Sequence, residues 1–140
     1  ILKGILDAED AKMAMQVVAD TVIVSNHAGR QLDGALSSIR ALPSILDAVG
    51  DQTEVHLDSG IRSGQDVLKA VAMGAKGTYI GRAFVYGLGA MGQAGVTKAL
   101  EVIHKEMDIT MALCGRRRID ELGRDILLVP EDFEGRWQAN

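Results

Sequence analysis

The sequence predicts an α/β fold on a parallel sheet, and three observations carry that expectation. Four apolar runs of strand length recur: Ile1 to Gly4, Thr21 to Ser25, Thr53 to Asp58 and Gly77 to Gly81. They are rich in Val and Ile and alternate little with polar residues, as strands covered on both faces do. A helical pattern follows each run, and strand-then-helix repeated four times is the order of a parallel α/β sheet. Polar residues also gather at the C-terminal end of all four runs: Lys3, Ser25-Asn26-His27, Asp58-Ser59-Gly60 and Gly81-Arg82. That is the edge where parallel α/β proteins keep their ligand sites.

Each element has its own signals. Ile1 opens directly on the first apolar run, so the sequence reads as a piece of a longer polypeptide. Asp7 and Asp10 form an N-cap pair ahead of Ala11, Met15 and Val18 at helical spacing. Ser37 to Val49 is the second helix, and Pro43 inside it demands a kink or a boundary. Ser63 to Met73 is the third, with Val67, Leu68 and Val71 on one face and Gly74 as its stop. A longer helix runs from about Gln93 to Leu113, with the stripe Val96, Leu100, Ile103, Met107 and Met111. Residues 1–114 form this unit. The tail, 115–140, is mostly polar, with a short helix near Ile119 to Leu122 and loose chain beyond it. Leu2, Ile23, Val24 and Ile80, with His56, are expected on the interior face of the sheet, away from the helices.

Composition narrows the function. At 47% hydrophobic and 24% charged residues the chain is ordinary globular material, long enough for one core. A net charge of -4 gives no basic balance for nucleic acid. The single Cys114 excludes an internal disulfide and fits a reducing compartment. No apolar run approaches the roughly 18 residues of a membrane span. No set of metal ligands stands out.

The last two strand ends look like one anion site. Asp58-Ser59-Gly60-Ile61-Arg62-Ser63-Gly64 and Ile80-Gly81-Arg82-Ala83 are both glycine-containing loops that enter helices. Glycines let the backbone approach an anion, and helix N-termini aim free N–H groups at it. Arg62 and Arg82 add charge-assisted hydrogen bonds. In (β/α)8 barrels a phosphate site frequently follows strands seven and eight. Counting back, the four strands become five to eight, so the expected architecture is α/β, the C-terminal half of a (β/α)8 barrel with four βα units. A flavodoxin-like open sheet fits less well, because its ligand lies beside its first strand. Ordinary turns with solvated arginines are the bland alternative, and the match of both loops to one kind of site argues against it.

The most specific run is Ser25-Asn26-His27-Ala28-Gly29-Arg30-Gln31-Leu32-Asp33-Gly34. It resembles the S-N-H-G-[GA]-R-Q-L-D signature of the FMN-dependent 2-hydroxy-acid dehydrogenases and oxidases. The L-D-S-G-I-R-S-G run at 57–64 and the I-G-R-A run at 80–83 match that family in the same order. The resemblance covers essentially the whole chain, which is less than half of a family member. Ala112-Leu113-Cys114-Gly115 leans toward the bacterial flavin-linked L-lactate dehydrogenases.

The resemblance implies FMN-dependent oxidation of a small L-2-hydroxy acid, L-lactate foremost, to the 2-oxo acid. It makes His27 the base, a role that suits a side chain titrating near neutral pH. It makes Arg30 the clamp on the substrate carboxylate, in a two-pronged pair. Lys3 is placed at the pyrimidine edge of the flavin, where it stabilises negative charge in the reduced ring and so belongs to the catalytic set. Ser25 is implied to hydrogen-bond the flavin and Asp58 its ribityl chain, while Gly60, Arg62, Gly81 and Arg82 hold the phosphate. Further flavin contacts, tyrosines near the substrate, a second substrate arginine and an acid that orients the histidine would come from elsewhere in a family member. The same resemblance implies a homo-oligomer without nucleic-acid partners, passing electrons to oxygen, a quinone or a cytochrome. It also implies a cytoplasmic protein, with some quinone-linked members held peripherally at the inner face of the cell membrane.

Ala28 departs from the pattern, where the family usually has Gly. Its methyl either crowds the substrate or is tolerated because the loop keeps φ negative there. Two other functions compete. One is a non-catalytic barrel fragment that binds phosphate or nothing. The other is a different phosphate-gripping barrel, such as inosine-monophosphate dehydrogenase or the flavin-dependent isopentenyl-diphosphate isomerase. Those resemble the Gly60 to Ala75 stretch almost as well but lack the His27-x-x-Arg30 pair. Outside the site, His56 reads as packing inside the barrel, His104 as a surface residue, and Arg116-Arg117-Arg118 as a solvated turn beside a helix end.

Overall fold

Four short strands, Leu2–Ile5 (β1), Thr21–Val24 (β2), Glu54–Leu57 (β3) and Gly77–Thr78 (β4), pair in the order β1-β2-β3-β4. All three pairings are parallel, in a computed structural model that describes residues 1–17 and 19–133. Helices α1 (Ala8–Gln16), α2 (Ser38–Val49) and α3 (Gly64–Met73) connect the strands, and α4 (Arg82–Leu113) follows the last. Pairing runs one residue past the formal strand ends: Ser25 N donates to Ile5 O, Asp58 N to Val24 O and Tyr79 N to Leu57 O. The polar residues at the strand ends therefore stand on backbone fixed by the ladder.

The register decides which side chains share a face. Lys3, Ile23, His56 and Gly77 are aligned across the sheet, and Val24, Leu57 and Thr78 are aligned beyond them. Successive residues of a strand point to opposite sides. Val22, Val24, Val55 and Leu57 meet Ala11, Ala14, Leu42, Ile45 and Ala70 in one buried core. Each large apolar side chain buried this way contributes about 1.5–3 kcal/mol. Of the five residues expected on the opposite face, Ile23 and His56 lie there. Val24 is 0% exposed in the helix-side core, Ile80 packs against that core, and Leu2 is in register with Val22. Ile23 and Val24 are adjacent, so one strand cannot turn both to the same side.

Three further expectations change. Helix α2 runs through the fully buried Pro43 without a boundary. Helix α4 starts at Arg82, well before Gln93, and breaks at Gly92 (φ 61°, ψ -139°), a conformation that glycine adopts without a steric penalty. Gly87, Gly89 and Gly92 lower helix propensity enough to hide this first segment from a periodicity argument. After the break the chain folds back, and a Cβ on Gly87 or Gly95 would strike the other's carbonyl. Similarly, a Cβ on Gly64 at the start of α3 would meet the backbone of Ile103, Glu106 and Met107. Within the predicted stripe Met111 is buried, but Leu100 is 52% exposed.

Beyond α4 the described tail is not loose. It forms single 3-10 turns at Ile119–Glu121 and Arg124–Ile126, and Arg116 pairs with Asp125. Leu127 and Phe133 pack on the core, and Arg40 Nη1 donates to Asp132 O at 2.8 Å. Val18 and residues 134–140 lie outside the described residues. Among the described residues no helix is long and apolar enough to cross a membrane.

Candidate active site

At the C-terminal end of the sheet the Lys3 ammonium sits 2.8 Å from Asp58 Oδ2 and 3.1 Å from Ser25 Oγ. Ser25 donates to the same Asp58 oxygen at 2.6 Å and accepts the His27 backbone N–H at 3.1 Å. Strands β1, β2 and β3 are thus tied together by three side chains. Burial works most strongly against ionising Asp58, whose side chain is 19% exposed. Hydrogen bonds from Lys3, Ser25 and the Ser59 backbone, with the charge of Lys3, outweigh it and hold this carboxyl below its ordinary value of 3.8.

The turn after β2 is left-handed. His27 (φ 52°), Ala28 (φ 58°) and Gly29 (φ 74°) follow one another in positive φ, closed by Gly29 N to Asn26 O and Arg30 N to His27 O. Of the two alternatives for Ala28, tolerance through a negative φ is overturned. Its methyl sits where a glycine would cost nothing, and a non-glycine residue there stores about 1–2 kcal/mol. The turn is held from the neighbouring strand end: Ala28 N donates to Ser59 Oγ at 3.1 Å, and Ser59 itself has φ 78°. Ser38 Oγ in turn donates to Ser59 O at 3.0 Å.

One open cleft of about 340 Å³ collects these groups, within the range of ligand sites, roughly 300–1,000 Å³. It is lined by Lys3, His27, Arg30, Asp58, Gly60, Arg62, Gly81 and Arg82. Ser25, 1% exposed, lies beneath it. The two anion loops differ in a way that their glycines and arginines did not reveal. At α3, Asp66 caps its own helix, accepting from the backbone N–H groups of Arg62 and Ser63, while Glu106 takes that of Gly64. At α4 no side chain among the described residues caps Gly81, so the first-turn N–H groups remain open. Tyr79, Phe84 and Val85 line the cleft without having been singled out by sequence reasoning, and Ser59 was named only as part of its loop. Period-two alternation from Gly77 puts Tyr79 on the inner face, which was the available signal.

The sequence profile described as FMN-dependent dehydrogenase matches residues 1–129. The chain belongs to the FMN-dependent dehydrogenase family. FMN is the cofactor of this family. Among similar proteins, an L-lactate dehydrogenase of Caulobacter sp. (strain K31) is 57% identical over 127 residues, 91% of this chain and 33% of that protein. An L-lactate dehydrogenase of Azorhizobium caulinodans is 58% identical over 128 residues, again 91% of this chain and 34% of its own length. A solved structure of an (S)-mandelate dehydrogenase mutant matches with TM-score 0.86 and 43% identity over 90% of this chain and 35% of its own. Mandelate oxidase with benzoyl-formic acid matches with TM-score 0.84 and 46% identity over 88% of this chain and 37% of its own. The chain therefore spans about a third of the length of these relatives.

The cleft has the chemistry for FMN. Gly60 and Gly81 have nothing within 4 Å of where a Cβ would stand, so backbone lies bare at both loops. The open α4 N-terminus, Arg62 and Arg82 suit a phosphate there, the first through its dipole and free donors. Lys3 and Asp58 offer a donor and an acceptor toward the polar parts of a flavin.

Proposed function

We propose that the chain is the C-terminal half of a (β/α)8 barrel, its strands being five to eight. It supplies the base, the carboxylate clamp and the phosphate site for FMN-dependent oxidation of a small L-2-hydroxy acid, L-lactate first, to the 2-oxo acid. The observation that carries this reading is the left-handed turn that presents His27 and Arg30 to the same cleft as Lys3, Asp58 and the open α4 N-terminus. The identity of 57% to a protein named L-lactate dehydrogenase supports lactate as the substrate.

When bound, FMN accepts the two electrons that the substrate loses. The chain's own residues do the rest. The planar fork of Arg30 holds the substrate carboxylate and fixes which carbon faces the base. His27 takes up one of the two protons released as the alcohol becomes a ketone. Lys3 brings positive charge to the place where negative charge collects, and its pairing with Asp58 and Ser25 fixes its ammonium beforehand. Gly81, Arg82, Gly60 and Arg62 hold the phosphate and so set the depth of the cofactor in the cleft.

The test is His27→Gln in the flavin-loaded protein, assayed with L-lactate and an artificial electron acceptor. Turnover should drop roughly 10²–10⁴-fold with flavin retained; near-parental turnover would end the assignment of His27. A larger aromatic substrate is the second reading, favoured by the likeness to mandelate enzymes. The ratio of kcat/KM for L-lactate to that for (S)-mandelate decides between them.

A further inference from the structure

A second polar cluster lies on the inner face of the sheet, where His56 stands in register with Ile23 and, through it, with Lys3. His56 places Nδ1 3.1 Å from the Tyr79 hydroxyl and Nε2 3.2 Å from Glu54 Oε2. The two rings are 5.8 Å apart, with planes tilted by 38°. A carboxylate only accepts, so Nε2 carries a hydrogen toward Glu54, and in the neutral imidazole Nδ1 then accepts from Tyr79. Gly77 stands opposite His56 in the ladder, and a Cβ there would lie 3.1 Å from Nδ1. The absence of a side chain at this position makes the slot that the imidazole fills, leaving it only 18% exposed.

Tyr79 is two residues beyond Gly77 on the same face and lines the cleft with Lys3 and Asp58. With its hydroxyl hydrogen engaged by His56, Tyr79 has no proton to donate into the cleft. What it offers there is its ring. We propose that Tyr79 is a binding residue in the floor of the cleft, its ring covering the part of the flavin that Lys3 and Asp58 hold. His56 and Glu54 are positioning residues that fix the ring from below. This assignment rests on the reading of the cleft as a flavin site.

The experiment titrates FMN into the flavin-stripped whole-barrel protein that carries this chain, following flavin fluorescence, beside urea unfolding of the same samples without FMN. Tyr79→Ala removes the floor and should weaken FMN binding roughly tenfold. His56→Leu leaves a phenol with no acceptor and should weaken binding by a smaller factor. Adding Tyr79→Phe to His56→Leu should return affinity toward that of the parent, since both partners are then apolar. If Tyr79→Ala does not fold, Tyr79→Leu carries the same comparison. A purely structural pair would lower the urea midpoint and leave the FMN affinity of the folded protein unchanged, and that outcome overturns the assignment. So does parental affinity in Tyr79→Ala. If the parent itself binds no FMN, the flavin reading falls and takes this one with it, so titrating the parent tells the two failures apart.

Discussion

Ala28→Gly should stabilise the protein, although it removes a methyl from the site. Ala28 holds φ 58° and ψ 31°, which costs an L-residue about 1–2 kcal/mol relative to its preferred regions. Glycine escapes that cost but raises the entropy of the unfolded chain, which takes back about 0.4–1 kcal/mol. The net gain is therefore on the order of 0.5–1 kcal/mol, a rise of roughly 2–5 °C in Tm for a domain of this size. Gly29 supplies the mirror experiment. It has φ 74° and nothing within 4 Å of a Cβ position, so Gly29→Ala meets no clash and loses only the conformational term. It should fall by about the amount that Ala28→Gly rises. Urea unfolding of the parent and both variants measures the pair. Stabilisation by Gly29→Ala, or clear destabilisation by Ala28→Gly, would refute a left-handed turn at 27–29.

The proposed carboxylate clamp and the proposed phosphate site should fail differently: Arg30→Lys should raise the apparent KM for L-lactate roughly tenfold, because one ammonium cannot replace a planar fork, with flavin retained. Arg82→Ala should release flavin on gel filtration while the occupied fraction keeps its KM; exchange of these two outcomes would reverse the roles. For Asp58 the sign follows from its lowered value. Between the folded value and 3.8 the unfolded chain holds a proton that the folded chain does not. The contribution of Asp58 to stability is then complete above 3.8 and is lost as pH falls through the folded value. Asp58→Asn should flatten that part of the stability curve in urea titrations between about pH 2 and 6, and an unchanged acid slope would contradict it.

The parallel sheet was legible because fully covered strands write themselves as Val- and Ile-rich runs, and the strand-end polar residues stood out against them. Contact across the strands was not legible. The Lys3–Ser25–Asp58 link joins residues 22 and 33 positions apart, and no local periodicity carries that information. The sign of φ at Ala28 was hidden for a related reason. Alanine argues for negative φ, and only the ties to Ser25 and Ser59 show what overrides it. The capping of α3 by Asp66 was visible as Ser63-x-x-Asp66, yet the glycine and arginine beside it drew attention to ligand binding instead.

The three glycines that let helices touch at the backbone bear on how this site can change. Gly64 lies two residues after Arg62, and Gly87 lies five after Arg82. Through Gly64 the start of α3 rests on the later half of α4, and through Gly87 and Gly95 the two halves of α4 rest on each other. The packing of α3 on α4, and of the two halves of α4 on each other, is thus set by main chain against main chain. Any substitution that adds a side chain at one of these three glycines would have to move whole helices. The side chains that line the cleft beside them, Phe84 and Val85 among them, can change size without moving a helix.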